Sequence, residues 1–260
     1  MRFLEFCYNS IIGRFFLKLF TRPWFSKLVG GFLDSPMSKC LIKGFVKRNE
    51  IKLDEYVDTN FSCFNDCFTR KMKPGLRPSE DGLVAPADSF LRAIKIEDGT
   101  LFEVKNSLYN VADLLEDERL ASEYLGATCL IFRLSTEHYH RYSYPASGRQ
   151  DSSKAIKGVL HTVQPFGQAH YPVFVRNSRE YSILHTEGFG DVLMMEVGAL
   201  LVGKIVNYME SGSFTKGEEK GYFKYGGSTV ILLVKEGKVK VEDKYFDGEV
   251  EVKMGQKIGE

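Results

Sequence analysis

The stretch "EEKGYFKYGGSTVILLVKEG", residues 218–237, changes abruptly from glycine to a continuous apolar run. Gly226 and Gly227 stand side by side, Ser228 and Thr229 follow, and residues 230–234 are all apolar. A short apolar run rich in β-branched residues and bounded by glycine and charge is typical of a buried strand. The stretch therefore predicts an interior strand that begins at a Gly-Ser pair, without the Asn-Gly or Asp-Gly of an ordinary hairpin turn.

The sequence around this strand has two different textures. From residue 83 onward it consists of short alternating or apolar runs separated by Gly, Pro, Asn and Asp, which is typical of antiparallel strands, with one helix expected over residues 110–125. Residues 1–70 instead have helical periodicity, interrupted at "TRP", "VGG" and "DSPMS". We predict an α+β fold, mostly β, in which an antiparallel β-sandwich or half-open barrel, residues 71–260, follows a helical segment, residues 1–70.

The helical segment is cationic and aromatic. In "IIGRFFLKLFTR", residues 11–22, apolar residues recur at helical spacing while Arg14, Lys18 and Arg22 follow another face. Charges interrupt the apolar positions too often for a spanning helix, which needs about 18 apolar residues. With Trp24 and several Phe beside the cations, we expect this segment to lie on a membrane surface. The alternative is a helix that packs only on the protein's own core.

Overall composition excludes some classes of function. The chain has 260 residues and a formal net charge of +1, which argues against a nucleic-acid binder. Its five cysteines form an odd set without the spacing of a disulfide framework, which fits a reducing compartment. His, Cys and Asp do not cluster at the spacing of a metal site, so we expect no metal.

Two segments carry candidates for acid-base chemistry. His138 and His140 lie two apart in "STEHYHRYSYPASG", so in a strand they would share one face. Asp88 in "LVAPADSF" stands at the mouth of an apolar strand, where a carboxylate is costly unless it is paired. A His is the usual partner when such a pair performs proton transfer. A turn-capping role for Asp88 is the alternative.

Four motifs in order resemble the phosphatidylserine decarboxylase family. They are the basic hinge "FTRKMKPGLRP", Asp88 in "PADS", the segment "YHRYSYP", and "YGGST" before the last long strand. The central stretch "REYSILHTEGFGDVLMMEVGALLVGKI" is also similar to that family. The resemblance extends over roughly residues 65–235, and this order of motifs is more specific than any one of them.

The resemblance implies a self-processing enzyme. Such chains cut themselves between Gly and Ser, here Gly227 and Ser228, so the products would be a β chain, residues 1–227, and an α chain, residues 228–260, held together. Ser228 would become a covalent pyruvoyl group that forms a Schiff base with the amine of phosphatidylserine. Loss of CO2 would then yield phosphatidylethanolamine, without a metal. The resemblance also implies a homodimer, bound peripherally to an anionic membrane on the cytoplasmic side.

One position departs from the family motif His-Arg-x-His. His140 occupies the first His, but Ser143 stands where the second His is normally assigned, with Asp88, to self-cleavage. Serine cannot act as a general base at neutral pH, so His140 would serve both steps, or His161 or His185 would enter from a neighbouring strand, or cleavage would be slow or absent. We predict that His140 acts in decarboxylation and that His161 is the added base.

Two alternative functions stay open at this point. A catalytically silent β-domain that binds anionic membranes would explain the missing second His, and a related pyruvoyl enzyme would act on another amino headgroup. A serine hydrolase is disfavoured because the sequence has no G-x-S-x-G elbow.

Overall fold

A computed structural model describes residues 2–97, 100–104, 107–200, 204–226 and 228–260. The helices are α1 Arg2–Asn9, α2 Ile11–Phe20, α3 Pro23–Leu33, α4 Ile42–Arg48, α5 Phe64–Phe68, α6 Val111–Leu115, α7 Glu118–Ser122, α8 Pro165–Gln168, α9 Val173–Arg176 and α10 Lys244–Asp247, with 3-10 turns at Pro36–Leu41 and Leu53–Glu55. The strands are β1 Leu83–Val84, β2 Ser89–Lys95, β3 Thr100–Val104, β4 Ser107–Asn110, β5 Thr128–Leu134, β6 Arg141–Ser143, β7 Gly148–Gln150, β8 Lys154–Ile156, β9 Arg179–Thr186, β10 Gly190–Val197, β11 Ile205–Asn207, β12 Gly212–Phe214, β13 Glu219–Phe223, β14 Ser228–Val234, β15 Val250–Val252 and β16 Lys257–Gly259.

The main sheet is built around β14. Within the described residues its order is β12-β7-β9-β10-β14-β5-β2-β15, with β8 also paired to β9. Antiparallel pairing joins β14 to β10 from Thr229 to Val234 and to β5 along its whole length. All seven residues of β14 are buried, which confirms the interior strand predicted from the apolar run.

A smaller sheet, β11-β13-β6, packs on the main sheet through a buried ion pair. Lys220 of β13 places its Nζ 2.8 Å from Oε1 of Glu196 on β10 and 3.0 Å from Oδ1 of Asn207. The two charged side chains are 1% and 0% exposed. Burial raises the pKa of Glu196, and the charge of Lys220 opposes that rise. The pair therefore fixes the strand that leads toward Ser228 against the main sheet.

The structure confirms the predicted class, an α+β fold that is mostly antiparallel β behind a helical N-terminal segment. The prediction of a single helix over residues 110–125 was wrong, because two short helices, α6 and α7, occupy that region. Glu116 adopts a left-handed conformation with φ of 47°, which ends α6. The side chain of Asp117 then accepts a hydrogen bond from the amide of Leu120 and caps α7.

The N-terminal helices expose an unusual amount of apolar surface. None of the described helices is long and apolar enough to cross a membrane. Their large exposed apolar side chains are Phe6, Ile11, Ile12, Phe15, Phe16, Leu19, Trp24, Leu28 and Phe32. The division at residues 70 and 71 stays a prediction, and the guanidinium of Arg70 donates across it to the carbonyl of His138 at 3.3 Å.

Replacing Lys220 by Met should leave the Glu196 carboxylate buried without its cation. We expect the free energy of unfolding to fall by about 3–5 kcal/mol, the usual cost of breaking a buried pair from one side. Urea unfolding in a Ser228→Ala background, which keeps every variant a single chain, measures this change.

The matched control is Lys235→Met, because Lys235 pairs with Glu123 at the surface, where such a pair contributes about 1 kcal/mol or less. Equal losses in the two variants would contradict the role assigned to the buried pair.

Candidate active site

Ser228 is the first residue of β14 and is fully buried. It pairs with Leu134 of β5, while its neighbour Thr229 lies between Arg133 of β5 and Val197 of β10. Both hydroxyl-bearing residues are 0% exposed, and neither hydroxyl has a hydrogen-bond partner among the described residues. A buried polar group left unpartnered costs about 1–3 kcal/mol, so it calls for a functional explanation. Gly227, predicted as the other half of the cleavage site, lies outside the described residues.

His140 lies beside the chain that leads into β14. Its carbonyl accepts a hydrogen bond from the amide of Phe223 at 3.0 Å, at the end of β13. Its ring packs 4.0 Å from that of Phe68, and the ring of Tyr225 packs on the same Phe68 at 5.1 Å. The rings of His140 and of Tyr225, three residues before Ser228, therefore share a contact with Phe68.

The hydrogen bonds of His140 assign its tautomer. Its Nδ1 lies 3.0 Å from the carbonyl of His138, which can only accept, so Nδ1 carries the proton. Nε2 is then the bare nitrogen, and it is buried without a partner among the described residues. Burial, followed by the charge of Arg70, lowers the pKa of His140 well below its ordinary value of 6.5. His140 is therefore neutral at physiological pH, with a free lone pair.

Asp88 is paired with an arginine. The guanidinium of Arg77 donates to both carboxylate oxygens, from Nε at 2.9 Å and from Nη2 at 2.7 Å, and the amide of Met254 donates at 2.8 Å. The hydrogen bond to Asp88 raises the pKa of Arg77. Ser143 instead bonds the carbonyl of Pro86, with its amide at 2.8 Å and its hydroxyl at 3.4 Å. Ser143, at the position of the second His of the family motif, therefore does not contact Asp88 in the hydrogen bonds described, and Asp88 is paired with Arg77 instead.

His138 takes part in the site through its backbone, a role that sequence reasoning missed. It lines a cavity of about 370 Å³ together with Asp88 and Arg77. Its Nδ1 accepts from the amide of Ser135 at 3.0 Å, and burial lowers its pKa. Its carbonyl holds His140 in the tautomer described above. The close spacing of the two histidines was a signal for this contact. They lie between β5 and β6 and not in a strand, so the shared strand face considered from the sequence does not occur.

His161 is buried under the N-terminal helices. The hydroxyl of Tyr8 accepts from the amide of Thr162 at 2.9 Å and is hydrogen-bonded to Nδ1 of His161 at 3.2 Å. The ring also stacks on Tyr171 at 4.3 Å. Burial, with the nearby charge of Arg176, lowers the pKa of His161 to about 4. Nδ1 of His161 is therefore engaged by Tyr8 in either tautomer.

The backbone of His161 nevertheless lies close to the end of β10. The side-chain amide of Asn177 donates to the carbonyls of both His161 and Gly198, at 2.8 and 2.7 Å. Gly198 follows directly on Val197, which pairs with Thr229. The structure thus brings the backbone of His161 toward Ser228 while its ring is turned to α1.

His185 is far from Ser228 and exposed. It pairs with Asp191 across β9 and β10, six residues before Val197, which corresponds to roughly 20 Å along the strand. Its two ring nitrogens lie 2.7 Å from Asp191 and 2.8 Å from Asp151. The structure does not bring His185 to the site.

Comparison with known proteins gives the family. Residues 64–260 match the family model described as phosphatidylserine decarboxylase. The chain is 44% identical, over 266 residues, to phosphatidylserine decarboxylase proenzyme 2 of Clostridium acetobutylicum, with 99% of this chain and 91% of the relative covered. The chain belongs to the phosphatidylserine decarboxylase family.

Two further members of the phosphatidylserine decarboxylase family are similar over almost the same extent. The proenzyme of Ruminiclostridium cellulolyticum is 41% identical over 272 residues, with 99% of this chain and 91% of the relative covered. The proenzyme of Clostridium botulinum is 38% identical over 274 residues, with 99% and 92% covered. Family membership therefore rests on the whole chain, including the N-terminal helices.

No group of three or more His, Cys, Asp or Glu in the described residues is arranged to hold a metal ion. The titratable groups near Ser228 in this member of the phosphatidylserine decarboxylase family are instead His140, His138 and the Arg77–Asp88 pair. Of these, His140 combines a neutral state with a fully buried nitrogen that has no partner among the described residues.

His185 offers a pH test that leaves the site untouched. Hydrogen bonds to Asp151 and then Asp191 raise the pKa of His185, so its protonated form is stabilised in the folded state. That contribution is fully present below the ordinary value of 6.5 and is lost as the pH rises through the raised folded-state value. We expect His185→Gln to lower the free energy of unfolding at acid pH, with a difference from wild type that shrinks toward alkaline pH. Chain cleavage should stay at the wild-type rate, and a difference independent of pH would contradict this account.

Proposed function

We propose that the chain is a self-processing phosphatidylserine decarboxylase that forms a pyruvoyl group from Ser228 and releases CO2 and phosphatidylethanolamine. The observation that carries the proposal is the fully buried, unpartnered hydroxyl of Ser228 at the start of β14, in a chain of this family. Its burial excludes bulk water from the hydroxyl, which favours attack on the preceding carbonyl over simple hydrolysis.

His140 is the base we assign to self-cleavage. Its bare Nε2 takes the proton of the Ser228 hydroxyl as the oxygen attacks the carbonyl carbon of Gly227, and it returns that proton to the departing amide nitrogen. An ester then joins the two residues in place of the peptide bond. A neutral buried imidazole suits this exchange because its free lone pair can accept the proton, and its lowered pKa makes it return that proton readily.

Elimination completes the processing. Loss of the α proton of residue 228 breaks the bond between its Cβ and its side-chain oxygen and releases residues 1–227 with a free carboxylate on Gly227. The dehydroalanine left at position 228 takes up water and loses ammonia, which leaves the ketone. The carboxylate of Gly227 thus carries its own carbonyl oxygen and the former side-chain oxygen of residue 228. The oxygen of the ketone comes from water.

The buried position of residue 228 fits a pyruvoyl group, because bulk water is excluded there and His140 offers a neutral imidazole. Bound there, the group supplies an electron sink for the carbon-carbon bond that breaks when CO2 leaves. His140 would deliver the proton to the substrate carbon that loses CO2. Asp88, bound to Arg77, would contribute to processing by fixing the turn before β2.

The added base predicted at His161 stays a proposal, and the contacts favour His140 over it. Nδ1 of His161 is hydrogen-bonded to Tyr8 and its ring stacks on Tyr171, so bringing that ring to Ser228 would require α1 and its Tyr8 to move. His140 needs no such rearrangement, because its Nε2 has no hydrogen-bond partner to displace among the described residues.

The two products would stay together through the sheet. The α chain, residues 228–260, contains β14, β15 and β16, which pair with β10 and β5, with β2 and with β1 of the β chain. Cleavage at the start of β14 breaks none of these ladders. We propose that the resulting two-chain unit forms a homodimer, which light scattering would measure.

The N-terminal helices would hold the enzyme on the cytoplasmic face of the membrane, where its lipid substrate lies. Exposed Ile11, Phe15 and Trp24 supply apolar surface, and Arg14 and Lys18 supply charge for an anionic headgroup layer. We propose residues 1–70 as the membrane-associating unit and residues 71–260 as the catalytic one.

A silent membrane-binding protein is the second candidate, and the Arg77–Asp88 pair is the observation that favours it. With Asp88 bound to arginine and Ser143 in place of a His, no Asp-His pair is present among the described site residues. Binding to phosphatidylserine vesicles without release of CO2 would support this candidate over the enzyme. Release of CO2 from a lipid with another amino headgroup alone would redirect the substrate assignment.

The first test of the proposal is release of labelled CO2 from phosphatidylserine. Replacing Ser228 by Ala removes the nucleophile and the pyruvoyl precursor, so we expect no CO2 above background. The matched control is Ser182→Ala on β9, which removes another buried hydroxyl without a described partner. The control should release CO2 at the wild-type rate. Full activity of Ser228→Ala would overturn the mechanism.

The second test separates the two candidate bases. We expect His140→Gln to slow fragment formation by roughly 10²- to 10⁴-fold, the usual contribution of general acid-base catalysis. His161→Gln should cleave within a few-fold of wild type, and gel analysis of fragment formation over time measures both. The cleavage rate should also stay level from neutral pH down to 6.5, because the pKa of His140 is lowered below that value. A folded His161→Gln chain that does not cleave would assign the base to His161 instead.

A further inference from the structure

A cavity of about 510 Å³ separates helix α2 from the segment that carries His161. Leu17, Thr21 and Tyr171 contribute to its inner wall, and Val159 and His161 close it on the side of the β domain. It is distinct from the cavity of Asp88 and His138, which none of these residues line.

Four cations surround this cavity. Arg14, Lys18 and Arg22 come from α2 and its C-terminal end, at intervals of four residues, and Arg176 comes from the end of α9 on the opposite side. None of the four is within ion-pair distance of a described carboxylate. By contrast, cations elsewhere, such as Lys154 and Arg141, do have such partners.

This arrangement of four positive charges favours the binding of an anion. Like charges on two facing elements repel one another, and the apolar inner wall reduces the screening by water. The guanidinium carbon of Arg176 lies 5.7 Å from the centre of the Tyr171 ring, so its position is set by stacking on the wall of the cavity. An oxyanion in the cavity would face cations from both sides.

The surroundings identify the source of that anion as a lipid. Ile11, Phe15 and Leu19 of the same helix are largely exposed beside Arg14 and Lys18. A soluble phosphate would leave this apolar surface in water, whereas a lipid would place its phosphodiester among the cations and its acyl chains along the helix.

We propose that the cavity binds the phosphodiester of an anionic phospholipid, which bridges α2 and Arg176 while the lipid stays in the membrane. This site rests on the membrane-surface part of the proposed function and adds to it a defined position for a headgroup. The bound lipid would tie α2 to the segment of His161, whose carbonyl shares the Asn177 amide with Gly198. Docking of the helices would thereby be coupled to the end of β10, next to Thr229.

The test measures binding of short-chain phosphatidylglycerol, a lipid that is not the substrate, to the full chain by calorimetry below its micelle concentration. Arg176→Gln should weaken binding roughly fivefold, since one cation near an anionic lipid contributes about 1 kcal/mol. Arg176→Lys should keep most of the affinity. The matched control is Lys27→Gln, which makes the same charge change on α3 outside the cavity and should bind as wild type.

Equal binding by wild type, Arg176→Gln and Lys27→Gln would overturn the site, as would equal weakening in both Gln variants. Inorganic phosphate that binds as tightly as the lipid would overturn the lipid assignment. Release of CO2 from phosphatidylserine is measured on the same preparations. Lipid binding that depends on Arg176 without CO2 release would refute the enzyme and keep the site, and the reverse result would refute the site and keep the enzyme.

Discussion

The site depends on the burial of β14 between two antiparallel partners. Ladders to β10 and β5 fix the strand from both sides, and its apolar residues from Val230 onward fill the core. This pairing holds Ser228 at a position where its hydroxyl is shielded from bulk solvent and has no described partner. The stability of the two ladders offsets the free-energy cost of the unsatisfied hydroxyl. In a less constrained position the side chain of Ser228 would rotate to a partner or become exposed to water.

Charge is distributed so that His140, the proposed base, stays neutral. The two buried carboxylates among the described residues each have a cation, Arg77 for Asp88 and Lys220 for Glu196. His140 is left with a backbone carbonyl as its orienting partner, and burial, followed by the charge of Arg70, lowers its pKa. A carbonyl fixes the tautomer as a carboxylate would, but because it has no full negative charge it stabilises the protonated ring less. With Ser143 at the position of the second His, we propose that His140 acts alone as a base whose lowered pKa makes it release the proton readily.

Local patterns in the sequence predicted the elements but not their pairing. The apolar run after Ser228 predicted β14, and helical spacing predicted α2, because burial on one face or in the core is recorded in neighbouring residues. The order of the main sheet and the Lys220–Glu196 pair depend on residues far apart in the chain, which no local period records. The same holds for Tyr8, which is 153 residues from His161 and is hydrogen-bonded to its Nδ1. The break between α6 and α7 is local, but it depends on a left-handed Glu116, which the helical pattern hides.

The mass spectrum of the purified chain, before and after treatment with hydroxylamine, tests the central claim most directly. The account predicts two pieces, residues 1–227 and 228–260, of which only the smaller gains the mass of an oxime because its first residue carries a ketone. The Ser228→Ala chain should give one unmodified mass. A preparation that releases CO2 from phosphatidylserine while it remains a single unmodified chain of 29.6 kDa would contradict the account.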